Sequence, residues 1–211
     1  MHPSKEPELA INCADQSPDE RGMYKEFFKI IDGALSPDFC REVIQRFEAC
    51  DYKERGKVGN NTREGLFDPR YKNTLELYPS QHPKDWGDVL NHVVGNLKTN
   101  LADFMSDYHD AFPVPLYPEE FRVTKYPIGG HFNWHSDNIG SDVTRVLTVM
   151  YYLNTVEEGG ETDYEWQELK IKPVEGRMAI CPVGWPFRHC SRPTVSNPKY
   201  IIITQLHQKL N

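Results

Sequence analysis

The sequence predicts a mainly β domain in which helices from the first half of the chain buttress one face of a β-sandwich or barrel. Two observations predict this arrangement. Apolar residues recur at helical spacing twice before residue 108, whereas from Pro115 the chain consists of eight short apolar segments separated by Pro and Gly. Short strands at that density, with no helical pattern between them, are typical of sandwiches and barrels rather than of βαβ units.

The length of 211 residues suits a single domain. We expect this domain over residues 23–211, with its β core at about 115–210. Residues 1–22 are polar, contain three prolines and have few apolar anchors, so they are predicted to form a flexible tail.

The composition favours some partners and compartments over others. With 24 basic and 31 acidic residues the chain has a net charge of −7, so no nucleic-acid partner is expected. There is neither an apolar run of about 20 residues nor an apolar signal segment near the N-terminus, which favours a cytoplasmic protein without a membrane partner. Five cysteines without a CxxC pair are expected to be reduced thiols. The sequence predicts no particular oligomeric state.

The first elements carry clear boundary signals. Residues 24–31 (YKEFFKII) are predicted as a strand. Ser36 then offers an N-cap, Pro37 suits the first helical position, and apolar residues at helical spacing predict a helix as far as about Cys50.

A loop, a second helix and the strands follow. Residues 55–70 combine glycines, asparagines and charges, as expected of a lid or substrate clamp. A continuous apolar stripe from Trp86 to Tyr108 predicts a long helix that faces the core. The predicted strands after it are FRVTKY, HFNWH, VTRVLTVMYYL, ETDY, LKIK, GRMAICP, FRHC and KYIIITQLH.

Three residues of the β half form a candidate metal site. His135 and Asp137 are two positions apart, so on a strand their side chains point to the same face. His189 lies 54 residues further on, in another predicted strand, and offers a third ligand. Two histidines and one carboxylate are the facial ligand set of non-haem Fe(II) oxygenases. An H-x-D pattern alone also fits a surface histidine near an acidic turn residue.

Lys199 opens an otherwise apolar strand. It is either an edge lysine that blocks aggregation or a buried cation that needs an anionic partner. Alternation places it on one face with Ile201, Ile203, Gln205 and His207. If the hydroxyls of Thr148 and Tyr152 face this lysine, the three would form a pocket for a carboxylate.

Several ordered motifs together resemble the prolyl 4-hydroxylase branch of the Fe(II)/2-oxoglutarate-dependent dioxygenases. They are YPIGGHFNWHSD, RVLTVMYYLN, GGETDY and VEGRMAICP, followed by His189 and, ten residues later, Lys199. The resemblance covers about residues 118–208, with a weaker similarity in FFKIIDGALSPDFC. It implies a double-stranded β-helix (jelly-roll) core buttressed by N-terminal α-helices.

The resemblance also implies roles for individual residues. His135, Asp137 and His189 fall on the family's iron ligands, and Lys199 falls on the residue that binds the distal carboxylate of 2-oxoglutarate. The other matches are Tyr126, Thr148 and Tyr152 at cosubstrate-binding positions, and Arg145 and His207 at substrate-binding positions. The implied cofactors are Fe(II), the cosubstrate 2-oxoglutarate and O2, with ascorbate as a candidate stimulant.

The implied activity is hydroxylation of a C–H bond, with release of succinate and CO2. The favoured substrate is a prolyl residue in a peptide or protein, as in procollagen or hypoxia-inducible factor. Two departures weaken the prolyl assignment: Phe132 replaces a common tyrosine and Gln205 a common tryptophan, both on the substrate side. The alternatives are hydroxylation of another side chain or a small molecule, and a non-catalytic or zinc-hydrolytic jelly-roll protein.

Overall fold

A computed structural model describes residues 27–58, 65–108, 111–112, 115–139 and 142–208. The predicted tail at 1–22, the start of the first predicted strand and the middle of the 55–70 loop lie outside the described residues. At its described ends this loop closes through an antiparallel bridge between Val58 and Leu66.

Two α-helices occupy the first half of the chain. Helix α1 covers Pro37–Ala49, and the hydroxyl of Ser36 accepts a hydrogen bond from the backbone amide of Phe39, so the predicted N-cap is confirmed. Helix α2 covers Pro83–Asp107, which confirms the long helix predicted from the apolar stripe. No helix among the described residues combines the length and apolar character that crossing a membrane requires.

All eight strands predicted after Pro115 are present. The strands are β1 Lys29–Ile31, β2 Glu54–Arg55, β3 Leu75–Leu77, β4 Leu116–Pro118, β5 Arg122–Tyr126, β6 Phe132–His135, β7 Arg145–Tyr152, β8 Thr162–Tyr164, β9 Leu169–Ile171, β10 Met178–Pro182, β11 His189–Ser191 and β12 Lys199–Gln208. The prediction was too long for β1. Strands β2, β3 and β4, of two or three residues each, were not predicted.

The strands form two antiparallel sheets. The large sheet has the order β1-β10-β7-β12-β5-β3-β2, with β4 paired to β12, and the small sheet has the order β6-β11-β8-β9. Together they form the predicted jelly roll.

The large sheet separates two apolar clusters. On one face, strand residues such as Val123, Val149 and Ile202 pack with Phe47 of α1 and Trp86 of α2. On the other face, the cluster consists of Tyr126, Met150, Tyr152, Tyr164, Ile171, Ala179, Cys181 and Ile201. Alternate residues of the same strand therefore face either the helices or the interior between the two sheets.

Candidate active site

Strand pairing brings the two candidate histidine ligands together. His135 ends β6 and pairs in register with His189, the first residue of β11, and their ring centroids are 4.4 Å apart. Asp137 lies two residues beyond His135, in a bend just after the strand rather than within it. One possible ligand atom from each of His135, Asp137 and His189 lies within 4.8 Å of the other two. A single cation can therefore contact all three at ordinary ligand distances of about 2 Å after small adjustments.

Backbone carbonyls orient both imidazole rings. The Nδ1 atom of His135 lies 2.7 Å from the carbonyl oxygen of Asn133, and that of His189 lies 3.0 Å from the carbonyl oxygen of Phe187. In both rings Nδ1–H donates to the backbone, so the Nε2 lone pair is directed to the shared space with Asp137. Phe132 stacks on the His135 ring with centroids 3.6 Å apart, which further restricts its rotation.

The carboxylate of Asp137 is kept ionised and in place. Burial opposes its ionisation, but the neighbouring His189 and His135 hold the pKa of Asp137 well below its usual range. The Thr148 hydroxyl donates a 2.5 Å hydrogen bond to Oδ2, and Arg145 donates a 3.3 Å bond to the backbone carbonyl. Burial, followed by the proximity of His135, lowers the pKa of His189 to about 4, so its ring is neutral and able to bind a metal at neutral pH.

Lys199 lies in the same cavity as the triad. Its ammonium group is fully buried and donates to the carbonyl of Gly160 at 2.7 Å and to the hydroxyl of Ser191 at 2.5 Å. It also lies 4.2 Å from the centroid of the Tyr126 ring. Among the described residues it forms no ion pair, and burial lowers the pKa of Lys199 to about 7.

The remaining predicted residues lie at varied distances from the cavity. Tyr126 lines it, whereas Thr148 and Tyr152 are buried behind its wall. Thr148 donates its hydrogen bond to the carboxylate of Asp137 rather than contacting Lys199. The Tyr152 hydroxyl bonds the hydroxyl of Thr162 at 2.9 Å, and Thr162 does line the cavity.

The two candidate substrate-binding residues do not line the cavity. Arg145 forms a bidentate pair with Glu119 at 2.5 and 2.7 Å and a further 2.7 Å bond with Asp142. The register between β12 and β7 shifts between Leu206 and His207, where Val146 of β7 is the extra residue. His207 pairs with Arg145 of β7 and with Tyr117 of β4, and it is not among the residues that line the cavity.

Sequence reasoning missed three charged residues of the cavity wall. Lys72, Glu76 and Arg122 line the cavity together with the triad, Phe132 and Gln205. Lys72 and Glu76 form a buried ion pair of 2.6 Å. The alternation Arg122-Thr124-Tyr126 on β5 could have identified Arg122, because Tyr126 was already placed on that face.

Comparison with known proteins places this arrangement in a class. Residues 121–207 match the sequence profile of the 2OG-Fe(II) oxygenase superfamily. The chain is 36% identical over 75 residues to the human prolyl 4-hydroxylase subunit alpha-3, a match that covers 31% of this chain and 14% of that protein. The mouse protein of the same name is 34% identical over 70 residues, with 29% and 13% covered. The chain thus matches about one seventh of its curated human relative's length.

Solved structures share the fold. The viral collagen prolyl hydroxylase of Paramecium Bursaria Chlorella virus-1, determined as a 2OG complex, has a TM-score of 0.62 at 21% identity, with 87% of this chain and 97% of that chain covered. A Trichoplax adhaerens prolyl hydroxylase, determined with a hypoxia inducible factor peptide fragment, has a TM-score of 0.68 at 18% identity, with 90% and 89% covered.

Fold and site together define a double-stranded β-helix protein with a two-histidine, one-carboxylate centre. Its residues 121–207 match the 2OG-Fe(II) oxygenase superfamily, and part of the chain is similar in sequence to prolyl 4-hydroxylase subunits.

Proposed function

We propose that this chain is an Fe(II)- and 2-oxoglutarate-dependent dioxygenase that hydroxylates a prolyl residue in a peptide or protein. The observation that carries the proposal is that one cavity holds both the His135-Asp137-His189 cluster and a buried lysine without an anionic partner among the described residues. A redox metal at the cluster and a dicarboxylic cosubstrate at the lysine would satisfy both features.

The residues of the His135-Asp137-His189 cluster are suited to bind iron. His135 and His189 would each supply Nε2 and Asp137 a carboxylate oxygen, the ligand set of non-haem Fe(II) oxygenases. When bound, Fe(II) and 2-oxoglutarate would activate O2, the oxidant, so that one of its oxygen atoms is inserted into a C–H bond and the other enters the succinate formed, with CO2, from 2-oxoglutarate. The protein's own part is to keep both rings in the metal-binding tautomer and the carboxylate ionised.

The residues around Lys199 fit the distal carboxylate of 2-oxoglutarate. An ammonium has three donor hydrogens, and Gly160 and Ser191 accept two of them. The third is available to an anion, for which the Tyr126 phenol and the Thr162 hydroxyl are neighbouring donors on the cavity wall. A carboxylate there would restore the ammonium form that burial disfavours.

The prolyl substrate is proposed from the relatives. The curated proteins that match are prolyl 4-hydroxylase subunits, and the Trichoplax structure holds a peptide. Phe132 and Gln205 line the cavity beside the triad, where they can select the substrate.

The test is conversion of 2-oxoglutarate to succinate by the purified chain. We expect turnover that requires Fe(II), is inhibited by N-oxalylglycine, and adds 16 Da to proline-containing peptides in mass spectrometry. His135→Ala should abolish succinate formation, whereas the control His92→Ala, on helix α2, should not. A zinc hydrolase or a non-catalytic jelly roll would form no succinate in any of these reactions.

A further inference from the structure

A second cation lies at the end of the cavity opposite Lys199. Along β5, Arg122, Thr124 and Tyr126 line the cavity, and across β12 they are in register with Ile203, Ile201 and Lys199. At about 3.3 Å per residue, the Cα atoms of Arg122 and Tyr126 are about 13 Å apart. Lys199 therefore lies at the Tyr126 end of the strand, and Arg122 lies at the end nearer to Gln205.

The nearby carboxylate of Glu76 forms no direct ion pair with Arg122. Glu76 forms its ion pair with Lys72 and accepts hydrogen bonds from Thr74 at 3.2 Å and Tyr78 at 3.3 Å. Among the described residues, Arg122 forms no direct ion pair. Burial opposes its charge, but longer-range attraction to Glu76 and Asp137, together with the neighbouring Tyr78 hydroxyl, raises the pKa of Arg122, so it stays a cation. Arg145 is the contrast, because both sides of its guanidinium are occupied by Glu119 and Asp142.

The charges of the residues that line the cavity also favour an additional anionic ligand. The described residues that line the cavity include three cations (Lys72, Arg122 and Lys199) and two anions (Glu76 and Asp137). A divalent metal and a dianionic cosubstrate cancel each other, so one positive charge stays unbalanced in a largely buried site. Uncompensated buried charge is unfavourable, and one further anion would remove it.

Two buried polar atoms on this wall also lack partners. The Oε1 atom of Gln205 and the Oγ1 atom of Thr124 accept no hydrogen bond within the described structure, although both residues line the cavity. Gln205 pairs in register with Thr148, which holds Asp137, so its carboxamide lies at the metal end. A ligand at this end would thus meet a guanidinium and an amide acceptor that needs an N–H or O–H donor.

We propose that Arg122 binds a carboxylate of the substrate, so that the enzyme selects substrates with an acidic group close to the hydroxylated carbon. The planar guanidinium matches a carboxylate in two parallel hydrogen bonds. Gln205 would accept a hydrogen bond from an adjacent N–H of the same substrate. This inference rests on the proposed function and specifies its substrate class.

The carboxylate has more than one possible source, and matched acid and amide ligands distinguish them. One pair of peptides carries Glu or Gln next to a central proline. A second pair ends in proline as the free acid or the amide, and the third pair is L-proline and L-prolinamide. The pair with the largest acid preference identifies the source.

The experiment measures dissociation constants by calorimetry under argon, on the chain loaded with Fe(II) and 2-oxoglutarate, where no turnover occurs. For at least one pair we expect the acid to bind about ten- to a hundred-fold more tightly than the amide, the range of a charge-assisted hydrogen bond. Arg122→Gln should reduce this preference to about twofold or less. Arg122→Lys should keep part of it, because the charge stays while the fork is lost.

Arg46→Gln is the matched control. Arg46 forms ion pairs with Glu42 and Asp88 on the two helices, so its loss should leave the acid preference unchanged. The proposal is wrong if no wild-type pair differs by more than about twofold, including the case in which none of the ligands binds. It is also wrong if a folded Arg122→Gln keeps the preference; if that variant does not fold, the preference of Arg122→Lys decides.

Succinate formation without added substrate separates the two proposals. If the wild-type chain consumes 2-oxoglutarate but shows no acid preference, the role of Arg122 is wrong and the proposed function stands. If the wild-type chain neither binds nor consumes 2-oxoglutarate, the proposed function itself fails.

Discussion

The two faces of the large sheet come from the same strands but have opposite chemistry. On β5, Val123 packs against the helices, while Arg122 and Thr124 line the cavity. On β12, Ile202 and Leu206 face the helices, while Lys199 and Gln205 face the interior. The helix-facing side is a continuous apolar layer. The inner face carries buried cations, carboxylates and unpartnered polar atoms.

This difference separates stability from ligand binding. Burying apolar side chains stabilises the fold, whereas buried charges without direct partners oppose folding until a ligand meets them. The helix-facing side therefore needs nothing beyond the chain itself. The inner face carries charged and polar groups that a bound ligand would satisfy. Substitutions on the inner face should therefore change turnover and ligand affinity, whereas substitutions on the helix-facing side should change the free energy of unfolding.

The largest effect is expected from substitutions at the candidate metal centre on the inner face. His135→Ala, Asp137→Ala or His189→Ala should each reduce iron-dependent succinate formation to background, because each removes one of the three proposed metal ligands. The unfolding free energy of the metal-free protein should change by no more than about 1–2 kcal/mol, since the apolar layer is untouched. Turnover assays and urea unfolding measure the two quantities, and substantial residual turnover in all three variants would contradict the site.

A substitution on the helix-facing side should have the opposite effect, lowering stability but leaving cosubstrate binding unchanged. Phe47 is fully buried in α1, with its ring centroid 6.1 Å from that of Tyr200 on β12. Phe47→Ala should lower the unfolding free energy by about 3–5 kcal/mol, the usual loss for a buried phenylalanine. The KM for 2-oxoglutarate, measured at a temperature where the variant is folded, should stay within about twofold of wild type. A large KM change would show that the two faces are coupled.

Lys199→Ala tests the far end of the inner face. The cosubstrate carboxylate would be left in a dry pocket without a counter-charge, so 2-oxoglutarate affinity should fall by about 2–5 kcal/mol. Iron affinity should be nearly unchanged, because the lysine is not a metal ligand. Lys199→Arg should recover part of the loss, since it keeps the charge but changes its shape. An unchanged 2-oxoglutarate KM in Lys199→Ala would favour a purely structural lysine.

Much of this organisation could be predicted from the sequence where the signals are local. The Ser36 cap and the α2 stripe are each contained in a single element, and strict alternation placed Lys199 on the inner face, whereas Tyr126 was placed by the family resemblance. Arg122 was missed because an arginine at the start of a strand is usually solvated, although its alternation with Tyr126 on β5 would have placed both on one face. The position of His207 outside the cavity was missed because alternation predicts the face of a residue but not where along the strand the cavity ends.

The pKa of Lys199 predicts a smaller, pH-dependent effect on the inner face. Burial lowers this pKa to about 7 in the ligand-free protein, so the ammonium loses its proton as the pH rises through 7. Bound 2-oxoglutarate requires the charged form, so its affinity should be constant below pH 7 and fall by up to tenfold, or about 1.4 kcal/mol, per pH unit above it. Calorimetry under argon between pH 6 and 9 measures this slope.

Lys199→Arg is the control for the pH effect. A guanidinium keeps its charge throughout this range, so the variant should bind 2-oxoglutarate more weakly but with a flat pH profile. A wild-type profile that is equally flat would show that the lysine stays protonated without the cosubstrate.

The smallest effects on stability and cosubstrate KM are expected from two adjacent tyrosines on opposite faces of β7. The Tyr152 hydroxyl faces the interior and bonds Thr162 at 2.9 Å, whereas the buried Tyr151 hydroxyl, on the helix side, has no hydrogen-bond partner in the described structure. Tyr152→Phe removes a made hydrogen bond and should lower the unfolding free energy by about 0.5–1.5 kcal/mol. It should also raise the 2-oxoglutarate KM modestly, because Thr162 on the cavity wall loses its support. Tyr151→Phe removes only an unsatisfied hydroxyl, so it should be neutral or slightly stabilising, with an unchanged KM. Urea unfolding and cosubstrate KM values of the two variants, measured side by side, test the pair. Equal losses in both variants would mean that the Tyr151 hydroxyl has a partner and that the two faces differ less than their lining residues indicate.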